Sequence, residues 1–365
     1  MPRQIAKILL ILLCAAASLQ CQSVSYYGQA INGHAEIMRS REPISDLIDN
    51  PDTPAQLRKK LIFVQSVREF AKSQLHLPVN DHYLSYVELN RPYVVWNVFA
   101  APEFSLTPET WCFPVVGCVA YRGYFSEQDA RRFGDSLKQE GFDVFIGGAI
   151  AYSTLGWFDD PVLSTFLNLS APETAALIFH ELAHSILYIQ DDTAFNESFA
   201  TAVEQEGLRR WQSSANDPKG YENWLLKRQW RQRFIGLVSK YRTKLQDLYQ
   251  GNLPLPEKRN QKAFLFNQMR SEFLDLKSDY RAMAAYDAWF RKPLNNAQLI
   301  SVSTYHNWVP AFHKILAASG GGLEEFYQRC RELAKKDKAE RQRILEDYLD
   351  SNLAQGKKRI VSSKD

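Results

Sequence analysis

Residues 170–190 read SAPETAALIFHELAHSILYIQ, which combines the start of a helix with a pair of histidines. Ser170 and Glu173 have the spacing of a capping box, and the proline between them falls in the first turn, where its missing N–H costs little. The apolar residues that follow predict a helix over 172–190. The sequence HELAH at residues 180–184 therefore falls in the middle of that helix.

His180 and His184 are one helical turn apart, so both imidazoles project from one face and can bind one metal ion. Glu181 points roughly 100° away around the helix axis. That is the position of a general base beside a metal rather than of a ligand. A catalytic zinc typically has three protein ligands and one open position. The motif therefore predicts one zinc ion per chain, with a third ligand from another segment.

A second predicted helix follows the motif and begins with FNESFA at residues 195–200. Glu197 lies 13 residues after His184, which is far enough for the chain to reverse and return a carboxylate to the zinc. The small side chain of Ala200, one turn further on, allows close packing of the two helices. Glu204 shares the face of Glu197 and could support a ligand, although an ordinary surface acid is the favoured interpretation.

Cleavage of a peptide at such a zinc would produce an oxyanion that needs a hydrogen-bond donor. The segment STYHN at residues 303–307 offers Tyr305, because a phenol can donate at neutral pH without competing for the metal. His306 is the second choice. A core aromatic or a capped histidine is the alternative for both.

Substrate contacts are predicted from the segment before the motif helix. A protease usually binds its peptide as an added strand at a sheet edge, and Gly147–Thr154, which includes Tyr152, suits such a strand. Asp159 and its neighbour Asp160 could hold the terminal ammonium of a substrate. Acidic turn residues before Pro161 are the alternative.

The N-terminus has the pattern of an export signal. Two basic residues precede the apolar run Ile8–Ala17, which is too short to span a bilayer stably, so residues 1–20 are predicted to be a signal peptide. Cys21 is the predicted lipidation site, although Ser18 and Gln20 match a lipobox poorly and plain cleavage is the alternative. The protein is expected to be exported and lipid-anchored on the periplasmic side of a bacterial cell envelope.

Two further cysteines, Cys112 and Cys118, flank a short segment with turn residues. In an oxidising compartment they are predicted to form a loop-closing disulfide. The competing interpretation, a pair of metal ligands, lacks two further ligands nearby.

The composition of the 365 residues, with 45% hydrophobic and 23% charged residues, is that of a globular protein and excludes disordered and fibrous classes. A net charge of +3 does not suggest a nucleic-acid partner. Charge is nevertheless divided: residues 21–205 carry 12 Lys and Arg and 23 Asp and Glu, a net −11, whereas residues 206–365 carry 30 and 18, a net +12. The acidic half contains the motif and would suit a cation and a protonated peptide N-terminus.

Periodicity predicts an α+β, mainly helical, zincin-like fold, with a small β-sheet before the motif helix and a helical C-terminal half. Residues 26–90 are predicted to form two helices that join near Pro51–Pro54, and the strands of one small sheet are predicted between Tyr93 and Thr154. Further predicted helices are 195–213, 220–250, 259–290, 296–318 and 322–350. The predicted parts are a signal peptide (1–20), a zincin-like catalytic part (21–207), a helical part that completes the cleft (208–353) and a flexible tail (354–365).

Several segments together resemble the bacterial family known as putative aminopeptidases, predicted zinc metallopeptidase lipoproteins of gluzincin type. They are WCFP at 111–114, GC at 117–118, YRGYF at 121–125, AYSTLGW at 151–157, HELAH at 180–184 and FNESFA at 195–200. The resemblance implies a zinc peptidase with ligands His180, His184 and Glu197 and with Glu181 as the catalytic base. The signal of this family usually ends in Gly-Cys, and Gln20-Cys21 departs from that pattern.

The expected function is therefore that of a zinc peptidase of the cell envelope, most simply an aminopeptidase that acts on peptide substrates. An endopeptidase is one alternative. A non-catalytic binding or assembly lipoprotein with a zincin fold is another, although the intact Glu181 argues against it, because a pure binder has no need of that base.

Overall fold

A computed structural model describes residues 25–113, 117–151, 159–215, 218–279, 281–302 and 308–361. The chain is mainly helical with small sheets, as the predicted α+β class requires. Among the helices of these ranges, none combines the length and the apolar character that a bilayer crossing needs.

Helices and strands are numbered here in chain order. The helices are α1 (25–39), α2 (Ile44–Asp49), α3 (Ala55–Leu75), α4 (Glu127–Gln139), α5 (Ala171–His184), α6 (Thr193–Ala215), α7 (Pro218–Gln250), α8 (Leu255–Asp279), α9 (Asp287–Arg291), α10 (Asn296–Ser301), α11 (Val309–Ala318), α12 (Leu323–Ala334) and α13 (Lys338–Val361). A 3₁₀ turn, Arg281–Tyr286, precedes α9. The strands are β1 (Glu42–Pro43), β2 (Ser85–Val87), β3 (Val95–Pro102), β4 (Trp111–Phe113), β5 (Gly117–Val119), β6 (Arg122–Tyr124), β7 (Phe142–Ala149) and β8 (Val162–Leu163).

The described strands between Tyr93 and Thr154 form two small sheets rather than the predicted one, and a third sheet is formed by strands outside that range. In the first sheet β3 lies between β6 and β7, antiparallel to both, and α4 packs on it. Strands β4 and β5 form a separate hairpin. The third sheet joins β2 in parallel to β8, with Tyr86 opposite Val162. This last pairing is short and joins distant parts of the chain, so no local alternation of apolar residues indicates it.

The N-terminal block follows the prediction in part. Helix α3 begins directly after Pro54, as expected, and ends at Leu75, before His76 in a left-handed backbone conformation. Upstream of Pro54 the chain forms two helices rather than one. The break falls at Pro43, which lies in β1 and precedes α2, because a proline inside a helix would remove a hydrogen bond and clash with the preceding turn.

Three predicted C-terminal helices are shorter than expected. The helix predicted over 259–290 ends at Asp279 and is followed by the 3₁₀ turn. The helix predicted over 296–318 is interrupted, and α11 restarts so that Pro310 falls in its first turn, where proline is tolerated. The helix predicted over 322–350 breaks before Asp337, whose carboxylate accepts the Glu340 N–H at the start of α13.

Helices α5 and α6 form the centre of the largest apolar core. That core also includes residues of α3, α11 and α12, with the fully buried rings of Phe179, Phe199, Phe312 and Phe326. A second apolar cluster is formed mainly by buried residues of α7 and α8. The histidine motif therefore lies on a helix that is packed on several sides, which holds its backbone in place.

Candidate metal centre

The start of α5 is fixed by the predicted capping box. The Ser170 N–H and hydroxyl both donate to the Glu173 carboxylate, at 3.1 and 2.5 Å. Pro172 lies in the first turn. This start places His180 and His184 on successive turns, with ring centroids 5.0 Å apart.

The helix ends at His184 rather than at residue 190, because the chain must reverse before α6. Asn196, which is almost fully buried, holds the reversal: its amide donates to the Ile189 carbonyl at 2.7 Å and accepts the Ile189 N–H at 2.8 Å. Asp191 adopts a left-handed backbone conformation with φ 62°. A helix continued to residue 190 would leave no room for this clamp, so the sequence periodicity overestimated its length.

The reversal brings Glu197 beside both histidines. The Nε2 atom of His180 lies 3.3 Å from Glu197 Oε2, and that of His184 lies 3.7 Å from Glu197 Oε1. One ligand atom from each residue lies within 4.8 Å of the others. The side chains are 15%, 7% and 31% exposed, in the order His180, His184 and Glu197. These three residues could therefore hold a metal ion in a half-enclosed site.

Glu204 is not the ordinary surface acid that was favoured from the sequence. Its Oε2 lies 3.1 Å from His180 Nδ1, so the ring can donate there while Nε2 faces Glu197. A carboxylate in this position fixes the tautomer and orientation of a ligating histidine. His184 differs, because its Nδ1 is buried and has no hydrogen-bond partner in the described part of the chain.

The pKa values of the two histidines are shifted in opposite directions. Burial opposes the charged form of His180, but hydrogen bonds and charges from Glu197 and Glu204 outweigh it and raise its pKa well above the ordinary value. Burial, together with the charge of His180, lowers the pKa of His184 to about 4. The neighbouring carboxylates therefore favour one positive charge, in the form of a proton, on the histidine pair. A metal cation can take the place of that proton.

Glu181 lies next to this group and lines the same cavity. Burial raises its pKa to about 7, with the negative charges of Glu197, Asp160 and Glu204 in support and the charge of His180 opposed. A carboxyl group with such a pKa can both accept and return a proton near neutral pH.

The cavity has a volume of about 880 Å³ and is lined by residues of α5, α6 and α7, with further residues from the 3₁₀ turn, α10 and α11. His180, Glu181 and Glu197 are part of its lining. Helix α7 contributes aromatic and basic side chains to the same lining. The volume lies in the range of sites that bind small molecules and short peptides.

Other predicted residues lie elsewhere or outside the described ranges. Tyr152, Tyr305, His306 and Cys21 fall outside those ranges. Asp159 is half-buried, does not line the cavity, and accepts a hydrogen bond from Arg41 at its backbone carbonyl.

The predicted edge strand is present in part. Gly147–Ala149 belong to β7, an edge strand of the first sheet, and residues 152–154 lie outside the described ranges.

Cys112 and Cys118 are joined by a disulfide across the β4–β5 hairpin. This hairpin contacts the α5–α6 reversal: the Cys118 N–H donates to Asp191 Oδ1 at 2.7 Å. Gly117 allows this approach, because it has φ +76° and a Cβ there would lie 2.3 Å from the same oxygen. The disulfide thus supports the loop that positions Glu197.

Sequence reasoning missed the roles of Asn196 and Asp160. Asn196 directly precedes Glu197, and this position is the sequence signal that could have indicated its role. Asp160 is buried, its N–H donates to His82 Nδ1 at 3.0 Å, and its charge acts on Glu181. Residues so far apart in sequence give no spacing signal.

Comparison with known proteins identifies the family of the chain. Among curated proteins and among solved structures, none matches the chain. A family model described as "Putative aminopeptidase" matches residues 25–345. Because this match covers most of the chain, including the whole histidine and glutamate group, the protein belongs to the "Putative aminopeptidase" family.

Proposed function

We propose that the protein is a zinc-dependent aminopeptidase of the bacterial cell envelope. The observation that carries the proposal is the convergence of two imidazole nitrogens and one carboxylate beside Glu181 in a cavity of short-peptide size. The family description supports peptidase activity. The metal, the mechanism and the location belong to the proposal.

The donor set fits zinc. Two histidines and one glutamate form a ligand set found in catalytic zinc sites, which keep a fourth position open. Bond lengths of about 2.0–2.2 Å in a tetrahedron place ligand atoms about 3.4 Å apart. The nearest nitrogen-to-oxygen distances here are 3.3 Å from His180 to one Glu197 oxygen and 3.7 Å from His184 to the other, and one ligand atom from each residue lies within 4.8 Å of the others. Glu204 on His180 adds the supporting carboxylate that such histidines usually have.

Zinc held by His180, His184 and Glu197 would supply a Lewis acid that polarises the substrate carbonyl and acidifies water. Glu181 is the proposed general base, which would take a proton from the attacking water and return it to the leaving amine. Tyr305 is the proposed donor to the oxyanion, and Tyr152 and Asp159 are proposed substrate contacts. Export and lipid attachment at Cys21 complete the proposal.

Peptide cleavage by the wild type and by Glu181→Gln tests the proposal, with zinc content measured on both proteins. The wild type should cleave peptides with a free N-terminus but not their N-acetylated forms. Glu181→Gln should bind as much zinc and cleave neither. Equal cleavage of free and acetylated peptides would indicate the endopeptidase alternative. Zinc-loaded wild type without any cleavage would indicate a binding protein.

A further inference from the structure

The cavity beside the proposed metal site is also lined by an arginine without a described anionic partner. Arg228 on α7 is half-buried and lines the cavity with His180, Glu181 and Glu197. No described residue makes a hydrogen bond or ion pair with its guanidinium group. Arg228 thus brings to the cavity lining five N–H donors that have no acceptor among the described residues.

The neighbouring lysine is different. Lys227 also lines the cavity, but its ammonium lies 2.7 Å from Glu173 Oε1 at the start of α5. That ion pair ties α7 to the motif helix and uses the lysine charge. Of these two cations, only Arg228 has no ion-pair partner among the described residues, so its charge is available to a bound anion.

Two groups hold Arg228 in place. Its guanidinium carbon lies 5.8 Å from the centre of the Trp224 ring, and Trp224 is itself buried. Glu204 attracts it electrostatically. The Glu204 carboxylate, however, is engaged with His180 Nδ1 and does not hydrogen-bond Arg228. Arg228 is thus held near the metal site and is not neutralised by direct contact.

Burial lowers the pKa of Arg228, but an arginine stays charged at any physiological pH. A half-buried guanidinium is most stable when a planar anion binds it through two parallel hydrogen bonds. A carboxylate has that geometry. A peptide in a cavity of about 880 Å³ carries such a group either at its C-terminus or on an acidic side chain.

We propose that Arg228 binds a carboxylate of the substrate and so selects short peptides with a free C-terminus or an acidic residue beyond the cleaved bond. The inference rests on the proposed function of the metal site. The cavity lining then combines carboxylates of α5 and α6 with a cation of α7. A zwitterionic short peptide carries both charges that this lining can bind, an ammonium at one end and a carboxylate at the other.

Three peptides with free N-termini test the inference: trialanine, trialanine amide and Ala-Glu-Ala amide. The wild type should cleave trialanine with a kcat/KM about tenfold or more above that for its amide. Arg228→Gln should raise KM for trialanine about 10–100-fold and leave the amide almost unchanged. Arg228→Lys should retain part of the preference. Arg233→Gln is the matched control, because Arg233 is an exposed residue of α7 that does not line the cavity.

Ala-Glu-Ala amide identifies the source of the carboxylate. Cleavage as fast as that of trialanine, with the same loss in Arg228→Gln, shows that an acidic side chain is accepted. Cleavage as slow as that of trialanine amide restricts the site to the C-terminal group. Equal cleavage of all three peptides by the wild type, unchanged in Arg228→Gln, would overturn the inference while the peptidase proposal stands.

A binding measurement separates failure of the inference from failure of the proposed function. Calorimetry of trialanine with zinc-loaded Glu181→Gln, with and without Arg228→Gln, requires no cleavage. The inference predicts a Kd about 10–100-fold weaker in the double variant. Equal Kd values, or no binding in either protein, would overturn it, whereas absence of cleavage by the wild type counts only against the proposed function.

Discussion

At the scale of single residues, the proposed centre depends on a carboxylate that binds no metal. Glu204 lies 3.1 Å from His180 Nδ1 and, with Glu197, raises the pKa of His180. A carboxylate bonded to a ligating histidine fixes its orientation and raises its basicity. The spacing of seven residues from Glu197 indicated a shared helix face, but it could not show which side of that face His180 would approach.

Glu204→Gln should weaken zinc binding by about 10–100-fold, the usual effect of removing such a partner. The amide keeps an acceptor for Nδ1–H but removes the negative charge. Competition with a chelating dye measures the affinity. Glu222→Gln, at an exposed position of α7, is the control and should leave it unchanged. An affinity equal to that of the wild type in both variants would show that Glu204 does not act on the metal site.

At the scale of helices, the close approach of α6 to its neighbours positions Glu197. Gly207 lies on α6, where a Cβ would meet Leu75 Cδ1 and Phe179 Cδ2, each at 2.8 Å. Both of these side chains are fully buried and have little room to move. The helix can therefore lie this close to α3 and α5 only without a side chain at residue 207.

Gly207→Ala should destabilise the protein by about 1–2 kcal/mol. Alanine gains about 0.5–1 kcal/mol of helix propensity over glycine, but overpacking of a core costs about 1–3 kcal/mol. Gly236→Ala on α7 is the matched control: no atom lies within 4 Å of its Cβ position, so it should stabilise by about 0.5–1 kcal/mol. Urea unfolding measures both. Stabilisation by Gly207→Ala would contradict the packing described here.

The helices also show how much of the fold can be predicted from the sequence. The start of α5 was predictable, because its capping box and first-turn proline are local signals. Its end at His184 was not, because the Asn196 clamp that holds the reversal acts across the loop. Local patterns likewise predicted β3 and β7 but not the pairing of β2 with β8, which joins strands of two or three residues from distant parts of the chain.

At the scale of the molecule, the basic C-terminal half is fastened to the acidic half beside the proposed centre. Asp192, directly before α6, accepts two hydrogen bonds from Arg341 of α13 at its Oδ2, at 2.7 and 3.1 Å. Both side chains are almost fully buried. One contact between the acidic and the basic half of the chain thus lies next to the helix that carries Glu197.

Arg341→Ala should destabilise the protein by about 3–5 kcal/mol, because it leaves the buried Asp192 charge without its partner. Lys335→Ala is the control, since its ion pair with Glu332 is exposed on both sides and should contribute about 1 kcal/mol or less. Urea unfolding of both variants gives the comparison. Equal small losses would mean that the contact between α13 and α6 does not depend on this pair.

The proposed function depends on a catalytic zinc ion held by His180, His184 and Glu197. Titration of metal-free protein with zinc, while release of the N-terminal residue from a peptide is followed, tests it most directly. Activity of the wild type should rise linearly and stop rising at one equivalent of zinc per chain, and His184→Ala should be inactive at any ratio. Full activity in the presence of excess chelator, or activity unchanged in His184→Ala, would contradict it.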